Sequence, residues 1–245
     1  MKTHIPGSTC CNTETAVLYA NGLRKTYSGR AVVDGVSITV QPREIVGLLG
    51  PNGAGKTTSF YMIAGLIPAD AGSVCFNGHD MSKMPMHRRA RLGLGYLPQE
   101  ESIFRKLSVL DNLLAILETR PKLNKAERHE RAHDLLARFG IGKLSKSLAI
   151  TLSGGEKRRL AIARSLCSDP TLLMLDEPFA GIDPIAVEDI QRIVRELRDR
   201  DGLAILITDR AFLIHDGRVI LEGASNELVD DPIARKHYLG EDFRM

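Results

Sequence analysis

A glycine-rich run near residue 50 combines residue types that bind phosphate. Its members are Gly50, Pro51, Asn52, Gly53, Ala54, Gly55, Lys56, Thr57 and Thr58. Glycine leaves no Cβ between the backbone N–H groups and an anion, and the largely apolar stretches 45–49 and 59–63 predict a strand before the run and a helix after it. We expect Lys56 to reach the β- and γ-phosphates of a nucleotide and Thr57 to place its hydroxyl on Mg²⁺. The run predicts a nucleotide-binding loop, because chance places this pattern in only roughly one chain in a hundred of this length.

Two adjacent acids follow a short apolar run further along the chain. Residues 172–175 are all apolar, and Asp176, Glu177 and Pro178 come directly after them. In an open α/β sheet, ligands bind at the carboxyl ends of the strands. Asp176 suits the Mg²⁺ shell, and Glu177 suits a base that polarises an attacking water molecule. The alternative is a strand that merely ends in a polar turn at Pro178, and the phosphate loop upstream argues against it.

The run 152–156 predicts a second anion site at the start of a helix. Ser153 can cap that helix and Glu156 can return the contact, which makes a capping box. Capping alone does not explain Gly154 and Gly155, since each glycine in a first turn costs up to about 1 kcal/mol relative to alanine. Their bare N–H groups at the positive end of the helix favour an anion.

The remaining pattern predicts strands that alternate with helices. The predicted strands are 17–25, 31–40, 72–76, 172–175 and 204–207, and the predicted helices are 108–120, 125–139 and 184–200. Such alternation is typical of a parallel sheet covered on both faces. We expect a flexible leader at 1–15, an α/β domain at 16–245 and a helical subdomain inserted at about 101–168.

Composition places the chain among ordinary globular proteins. Of its 245 residues 43% are hydrophobic and 26% charged, and a formal charge of +3 is too small to indicate nucleic acid. The basic run 87–91 is interpreted as solvated helix surface. Cys75 and Cys167 are isolated and no C-x-x-C metal spacing occurs, which is typical of a reducing cytosol. Neither a signal-peptide apolar region nor a run of roughly 20 apolar residues is found, so any membrane role is expected to come through a partner.

The three motifs, in this order, resemble those of the ATP-binding cassette (ABC) family from about Ala16 to Met245. The resemblance implies an α/β fold of the P-loop NTPase type, in which a parallel sheet lies between helices, with an N-terminal antiparallel β subdomain and an α-helical insertion. It implies that Tyr27 stacks on adenine, whereas the alternative is a strand tyrosine beside a turn. It implies that Gln99 contacts Mg²⁺ and links the core to the insertion.

The family resemblance also implies a set of ligand contacts for ATP and Mg²⁺. The stretch 180–183 resembles the D-loop, and Asp183 can in addition cap a helix that begins at Pro184. The implied Mg²⁺ ligands are Thr57, Gln99 and Asp176, the implied catalytic residues are Glu177 and Gln99, and the implied ATP contacts beyond the phosphate loop are Tyr27, Ser153, Gly154, Gly155 and Asp183.

The resembled family works as dimers. The chain has one phosphate loop and one Ser153–Glu156 signature, and in the family each ATP lies between the loop of one subunit and the signature of the other. A homodimer through the nucleotide sites is therefore implied. ATP closes its two sites and hydrolysis releases them, which converts nucleotide state into motion.

More specific stretches resemble the cytoplasmic ATPases of bacterial lipopolysaccharide export transporters. They are 95–113, 176–184 and 238–245. This resemblance implies an ATPase at the inner face of the inner membrane that drives two integral membrane permease subunits and does not itself touch the transported substrate. The permeases are expected to dock near Gln99–Arg105, where Phe104 would line the groove; the alternative is that Phe104 is a core aromatic.

Three other functions remain open at this point. They are a branched-chain amino acid importer ATPase, a soluble assembly ATPase of the iron–sulfur type, and a nucleotide-gated scaffold that does not hydrolyse ATP. A departure from the family pattern motivates the last. The resembled family has a histidine that contacts the γ-phosphate after the last core strand, followed by a short helix. Here 204–209 runs directly into 210–215.

By comparison with the pattern of the resembled family, roughly ten residues are missing between these two apolar stretches. The direct junction also conflicts with ordinary sheet connections, because 209–211 contains no glycine, proline or asparagine and a parallel crossover needs about a dozen residues. His215 falls in a predicted hairpin at 215–218 and is not an obvious substitute. We expect ATP binding to be intact and hydrolysis to be slow.

Overall fold

The computed structural model describes residues 16–49, 53–178, 184–215 and 218–224. The strands are β1 (Leu18–Tyr27), β2 (Arg30–Val40), β3 (Ile45–Leu49), β4 (Ala71–Phe76), β5 (His79–Asp80), β6 (Leu94–Leu97), β7 (Leu172–Leu175), β8 (Ala204–His215) and β9 (Arg218–Ala224). The α-helices are α1 (Lys56–Ala64), α2 (Met86–Arg91), α3 (Val109–Leu117), α4 (Lys125–Arg138), α5 (Gly154–Leu166) and α6 (Pro184–Asp201). Short 3₁₀ helices cover Gly142–Leu144 and Ala149–Thr151. The leader at 1–15 lies outside the described residues.

The chain divides into two compact units. The first unit is Met1–Arg91 with Gly202–Met245, and the second unit is Leu92–Asp201. Both units combine strands and helices, which confirms the predicted α/β class.

The first unit contains an antiparallel sheet with the strand order β2-β1-β4-β5. The hairpin between β1 and β2 turns at Ser28 and Gly29, and the hairpin between β4 and β5 turns at Asn77 and Gly78; all four have positive φ. Positive φ at both central residues suits the right-handed twist of a two-residue hairpin, and Asn-Gly is a residue pair that favours it. The fully buried side chains of this unit include Leu18, Leu23, Ile38, Met62, Ile63, Phe76 and Met81.

The first unit also contains the strand that leads into the phosphate loop. β3 pairs in parallel with β8, and β8 pairs antiparallel with β9. β8 is one strand from Ala204 to His215, so the two apolar stretches that meet at 209–211 belong to a single strand, which is longer than the predicted 204–207. Ile45 lies opposite Ile205 and Val46 opposite Arg210, so one step along β3 corresponds to five along β8. A register shift in the pairing of β3 with β8 therefore accommodates the junction at 209–211, and β8 continues through it without a crossover connection.

In the second unit, β6 pairs in parallel with β7, and α3, α4 and α5 lie between them in the chain. Helices α3 and α4 both begin at a side-chain cap. Ser108 accepts a hydrogen bond from Asp111 N at the start of α3, and Asn124 forms a capping box with Glu127 at the start of α4. α3 ends at Leu117, earlier than the predicted residue 120. The buried core of this unit includes Leu97, Leu113, Leu117, Leu136, Leu160 and all of β7.

Two of the four cysteines lie within the described residues. Cys75 in β4 is disulfide-bonded, which corrects the expectation that it is isolated. Cys167 is a free, buried thiol, and burial raises its pKa to about 12. A thiol with so high a pKa is unreactive at neutral pH.

Within the described part of the chain, no helix combines the length and the apolar character that crossing a membrane requires.

Candidate functional site

The described part of the phosphate loop has the backbone that an anion site needs. Gly53 and Gly55 have φ of 82° and 95°, in the left-handed region that favours glycine. Gly55 is the N-cap of α1 with no side-chain cap, and the first turn of that helix holds no acidic residue. The N–H groups at a helix N-terminus attract phosphate, and the absence of a carboxylate from the first turn of α1 favours this. A nucleotide phosphate therefore fits this loop; Gly50, Pro51 and Asn52 lie outside the described residues.

The loop side chains differ in exposure. Thr57 is exposed, Lys56 and Thr58 are half-buried, and Ala54 is buried. Thr57 therefore presents its hydroxyl to solvent at the first turn of α1, where the motif places the Mg²⁺ ligand.

The opposite end of α1 is fixed by a buried arginine. Arg89 is only 3% exposed, and its guanidinium donates to Met62 O at 2.8 Å, Ile63 O at 2.6 Å and Met84 O at 2.7 Å. The last carbonyls of a helix lack i+4 partners; Arg89 gives Ile63 O a donor and adds a second donor to Met62 O, which also accepts from Gly65 N at 3.2 Å. Burial lowers the pKa of Arg89 to about 10, which still leaves it charged. The interpretation of 87–91 as solvated surface is thus wrong for Arg89.

Tyr27, predicted to stack on adenine, lies exposed at the end of a strand. The residue is 47% exposed at the end of β1. Lys25 Nζ lies 5.5 Å from the centroid of the ring, and the same ammonium is 2.7 Å from Asp70 Oδ1. Asp70 also accepts from Thr26 N at 2.7 Å. The Lys25–Asp70 pair steadies the backbone just before Tyr27.

In the second unit, the parallel strands β6 and β7 bring the acidic pair beside Gln99. Leu97 lies opposite Leu175, and Asp176 N donates to Leu97 O at 3.0 Å. Gln99 Nε2 then donates to Glu177 Oε2 over 2.7 Å. Glu177 is exposed and has φ of 43°, which is rare for a residue with a side chain and is typical of functional sites. The structure therefore brings the two predicted catalytic residues into direct contact.

Asp176 is the buried member of the acidic pair. It is 6% exposed and accepts a hydrogen bond from Tyr96 Oη at 3.3 Å. Burial raises its pKa, and the neighbouring Glu177 charge acts in the same direction, while Tyr96 and the Arg158 charge oppose it. A buried carboxylate with a raised pKa gains from a nearby cation.

Magnesium fits this set of donors. Within the described residues, no group of three or more His, Cys, Asp or Glu side chains forms a metal cage. Mg²⁺ is usually held by one or two carboxylates together with substrate phosphates, and it keeps several waters. In the second unit, the Asp176 carboxylate and the amide oxygen of Gln99 are donor types that suit that mode of binding.

An arginine that the sequence analysis did not single out contacts the same strand edge. Arg158 in α5 donates to Pro98 O at 3.0 Å, Asp176 O at 3.2 Å and Pro178 O at 3.0 Å. Burial lowers its pKa, with the Asp176 charge opposing. The sequence gives no signal of these contacts, because the acceptors are backbone carbonyls that lie far from Arg158 along the chain.

The start of α5 has the predicted capping box. Ser153 accepts from Glu156 N at 3.4 Å, and Glu156 Oε2 accepts from Ser153 N at 2.8 Å. The hydrogen bond from Ser153 N–H lowers the pKa of Glu156, and the Ser153 hydroxyl adds to the effect. Gly154 is exposed and Gly155 is buried. Asp183, the predicted D-loop residue, lies outside the described residues.

The segment predicted to receive a partner exposes one large aromatic side chain. Phe104 is 45% exposed, so it is not a core aromatic, and the Arg164 guanidinium lies 4.8 Å from its ring centroid. Asn112, fully buried, donates to Phe104 O and Ser108 O and accepts from Phe104 N, which fixes the turn. Other large apolar residues that are exposed among the described residues of the second unit are Leu107, Leu148 and Ile150.

Comparisons with known proteins identify the family. Residues 33–180 match the family model described as ABC transporter. An uncharacterized ABC transporter ATP-binding protein of Rhizobium meliloti is 55% identical over 239 residues, which cover 93% of this chain and 88% of that protein. The lipopolysaccharide export system ATP-binding protein LptB of Escherichia coli is 51% identical over 241 residues, 94% of this chain and 100% of that protein.

The alignment lengths support an internal shortening. The 94% of this 245-residue chain that aligns is about 230 residues, whereas the aligned Escherichia coli protein contributes 241. The matched part of the chain is therefore about eleven residues shorter.

Solved structures agree with the family match. The ADP conformation of the ATP-binding cassette MJ1267 has a TM-score of 0.82 at 28% identity and covers 92% of this chain and 99% of that one. A dimeric post-hydrolysis state of the cassette MJ0796 bound to ADP and Pi, at 23% identity and a TM-score of 0.75, covers 84% and 98% and shares the fold. The chain therefore belongs to the ABC transporter family and is one of its ATP-binding, ATP-hydrolysing subunits.

Proposed function

We propose that this chain hydrolyses ATP to drive lipopolysaccharide export from the inner membrane. The observation that carries this proposal is the 51% identity to LptB of Escherichia coli across the whole of that protein. LptB of Haemophilus influenzae, at 48% identity over 94% of this chain, supports it.

The proposed chemistry assigns a role to each predicted site residue. Residues 50–55 and Lys56 hold the phosphates of ATP, and Tyr27 stacks on adenine. Thr57, Asp176 and Gln99 hold Mg²⁺, which when bound offsets the charge on the phosphate oxygens. Glu177 takes a proton from the attacking water, and the amide of Gln99, 2.7 Å away, orients its carboxylate.

The proposed assembly is a homodimer closed by ATP. The signature at Ser153, Gly154 and Gly155 of one subunit contacts the ATP held by the phosphate loop of the other, and Asp183 contributes beside it. The capped start of α5, with Gly154 exposed, supports an anion contact there. We also propose a single ATPase domain at 16–245 with a helical subdomain at about 101–168.

Two integral membrane permease subunits are the proposed partners, which places the chain peripherally on the cytoplasmic face of the inner membrane. They dock near Gln99–Arg105, and the exposed Phe104 supports this. Neither nucleic acid nor the transported lipid contacts the chain in this proposal.

Co-purification from solubilised membranes tests the proposal. Tagged chain is expected to recover two permeases, and lipopolysaccharide is expected to stimulate ATP hydrolysis by the reconstituted complex. Phe104→Ala should reduce recovery, whereas Leu66→Ala, which removes a similarly exposed apolar residue (43%), should not. Recovery of amino acid permeases, or of a soluble partner alone, would instead support an importer or an assembly ATPase.

A second candidate function is a nucleotide-gated scaffold that binds ATP without brisk hydrolysis. The aligned part of this chain is about eleven residues shorter than the Escherichia coli relative, and this shortening favours the scaffold. Steady-state hydrolysis by the intact complex separates the two functions, because export requires repeated turnover.

A further inference from the structure

The guanidinium of Arg158 joins the helix that follows the signature to two segments of the proposed catalytic edge. It donates through Nη1 to Pro98 O at 3.0 Å, through Nη2 to Asp176 O at 3.2 Å, and through Nε to Pro178 O at 3.0 Å. The acceptors belong to segments 60, 18 and 20 positions away in the sequence. One planar side chain therefore fixes three backbone groups at once.

These three carbonyls flank the pair that we assign to hydrolysis. Pro98 directly precedes Gln99, while Asp176 and Pro178 directly precede and follow Glu177. Glu177 has φ of 43°, a conformation that a residue with a side chain keeps only when its surroundings enforce it. Arg158 donates to the carbonyls of Asp176 and Pro178, on either side of Glu177. It also donates to the carbonyl of Pro98, which directly precedes Gln99.

We propose that Arg158 is a positioning residue, through which helix α5 sets the geometry of the Gln99–Glu177 pair. The inference rests on the proposed role of Glu177 in hydrolysis. A movement of α5 carries the guanidinium with it and shifts the backbone on both sides of the pair. Contact at the start of α5 is thereby linked to the position of the base.

The chemistry of the contact explains why arginine serves here. The acceptors are neutral carbonyls in three directions, and guanidinium presents five N–H donors in a fixed plane. Lysine carries the same charge on a single nitrogen and does not reproduce the fork. The positioning role therefore depends on shape as well as on charge.

Single substitutions separate positioning from nucleotide binding. Arg158→Gln should lower single-turnover hydrolysis about 10²-fold, the loss expected when a reacting group is misplaced by about 1 Å. ATP affinity measured by calorimetry should change less than about 3-fold, since the phosphate loop is untouched. Arg158→Lys should recover less than about a tenth of the hydrolysis rate that Arg158→Gln loses relative to the parent chain. The matched control is Arg192→Gln, which removes an exposed guanidinium of α6 that pairs with Asp189 and Glu196, and it should hydrolyse ATP like the parent chain.

A double substitution tests whether Arg158 acts through Glu177. If Glu177→Gln already abolishes base catalysis, adding Arg158→Gln should lower the residual rate by less than about 2-fold, because residues that act as one unit are not additive. The proposal would be overturned if the rate losses of the two single variants multiplied in the double variant. It would also be overturned if Arg158→Gln hydrolysed ATP at the parent rate, or if this variant lost ATP affinity and hydrolysis rate equally. If Glu177→Gln itself hydrolyses ATP normally, the assigned role of Glu177 fails, and the positioning proposal fails with it.

Discussion

Gln99 and Glu177, 78 positions apart in the chain, meet through a hydrogen bond of 2.7 Å from the glutamine Nε2 to the carboxylate Oε2. The parallel pairing of β6 with β7 produces this contact. Leu97 lies opposite Leu175, so the two strands end at the same edge of the sheet. The side-chain amide holds the carboxylate with its nitrogen and carries, on the same group, a carbonyl oxygen of the kind Mg²⁺ prefers. A single glutamine can therefore link the proposed base to the proposed metal.

Removing the base while keeping its shape is the first test of this arrangement. Glu177→Gln should lower single-turnover hydrolysis at least about 10²-fold, the usual contribution of a positioned base, and leave ATP affinity within about 3-fold. Glu196→Gln, which alters an acid of α6 that pairs with Arg192, is the control and should keep the parent rate. An unchanged rate for Glu177→Gln would mean that another group polarises the water.

Nucleotide binding itself depends on the phosphate loop. Lys56→Ala should abolish ATP binding in calorimetry, because it removes the one side chain in the loop that carries positive charge to the phosphates. Its melting temperature without nucleotide should stay close to that of the parent chain, which shows that folding is intact. Unchanged affinity would refute the assignment of residues 50–58.

Asp176 predicts a conflict between stability and function. Burial raises its pKa, so the charged form is penalised in the folded state. The penalty is present above the folded pKa and disappears as the pH falls below the unfolded value of about 4. Asp176→Asn should therefore raise the melting temperature at pH 7, by about 2–4 °C for each kcal/mol of relieved penalty, and should abolish Mg²⁺-dependent hydrolysis. A lower melting temperature for the asparagine variant at pH 7 would show that the carboxylate is stabilising.

Local patterns predicted much of this fold because they carry their own physical cause. The turn at Asn77-Gly78 needs positive φ at two residues, and the Ser153–Glu156 capping box satisfies N–H groups three residues apart. Helix α4 was likewise predicted within one residue of its end. The acidic pair followed from an apolar strand that ends in carboxylates.

The sequence gives no signal for the roles of Arg89, which is buried, and Arg158, which is half-buried. Arg89 sits in a run of basic residues that is otherwise exposed, and Arg158 follows a lysine in a polar helix. Both donate to backbone carbonyls, which every residue has, so no acidic partner in the sequence marks them. Their acceptors become neighbours only when distant segments pack together.

Arg89 is expected to matter for the stability of α1. Arg89→Met removes the donor to Ile63 O and Met84 O, while Met62 O keeps the hydrogen bond from Gly65 N. An unsatisfied buried group costs about 1–3 kcal/mol. We expect the free energy of unfolding to fall by at least about 2 kcal/mol in urea titrations. Arg88→Met, the exposed neighbour, should change it by less than about 0.5 kcal/mol. Equal stability of both variants would show that water replaces the guanidinium.

The junction in β8 gives the last prediction. The resembled family has a γ-phosphate histidine after this strand, and here β8 continues from Ala204 to His215 without a break. Loss of one oriented electrostatic contact in a phosphoryl-transfer site commonly costs about 10²–10³ in rate. Inserting a histidine-bearing segment after Asp209 should therefore raise steady-state turnover by about that factor, with little change in ATP affinity. The same segment with alanine at the histidine position is the control, and it should restore the length of the connection without the rate. Equal, brisk turnover by the unmodified chain and both insertions would mean that another residue already holds the γ-phosphate.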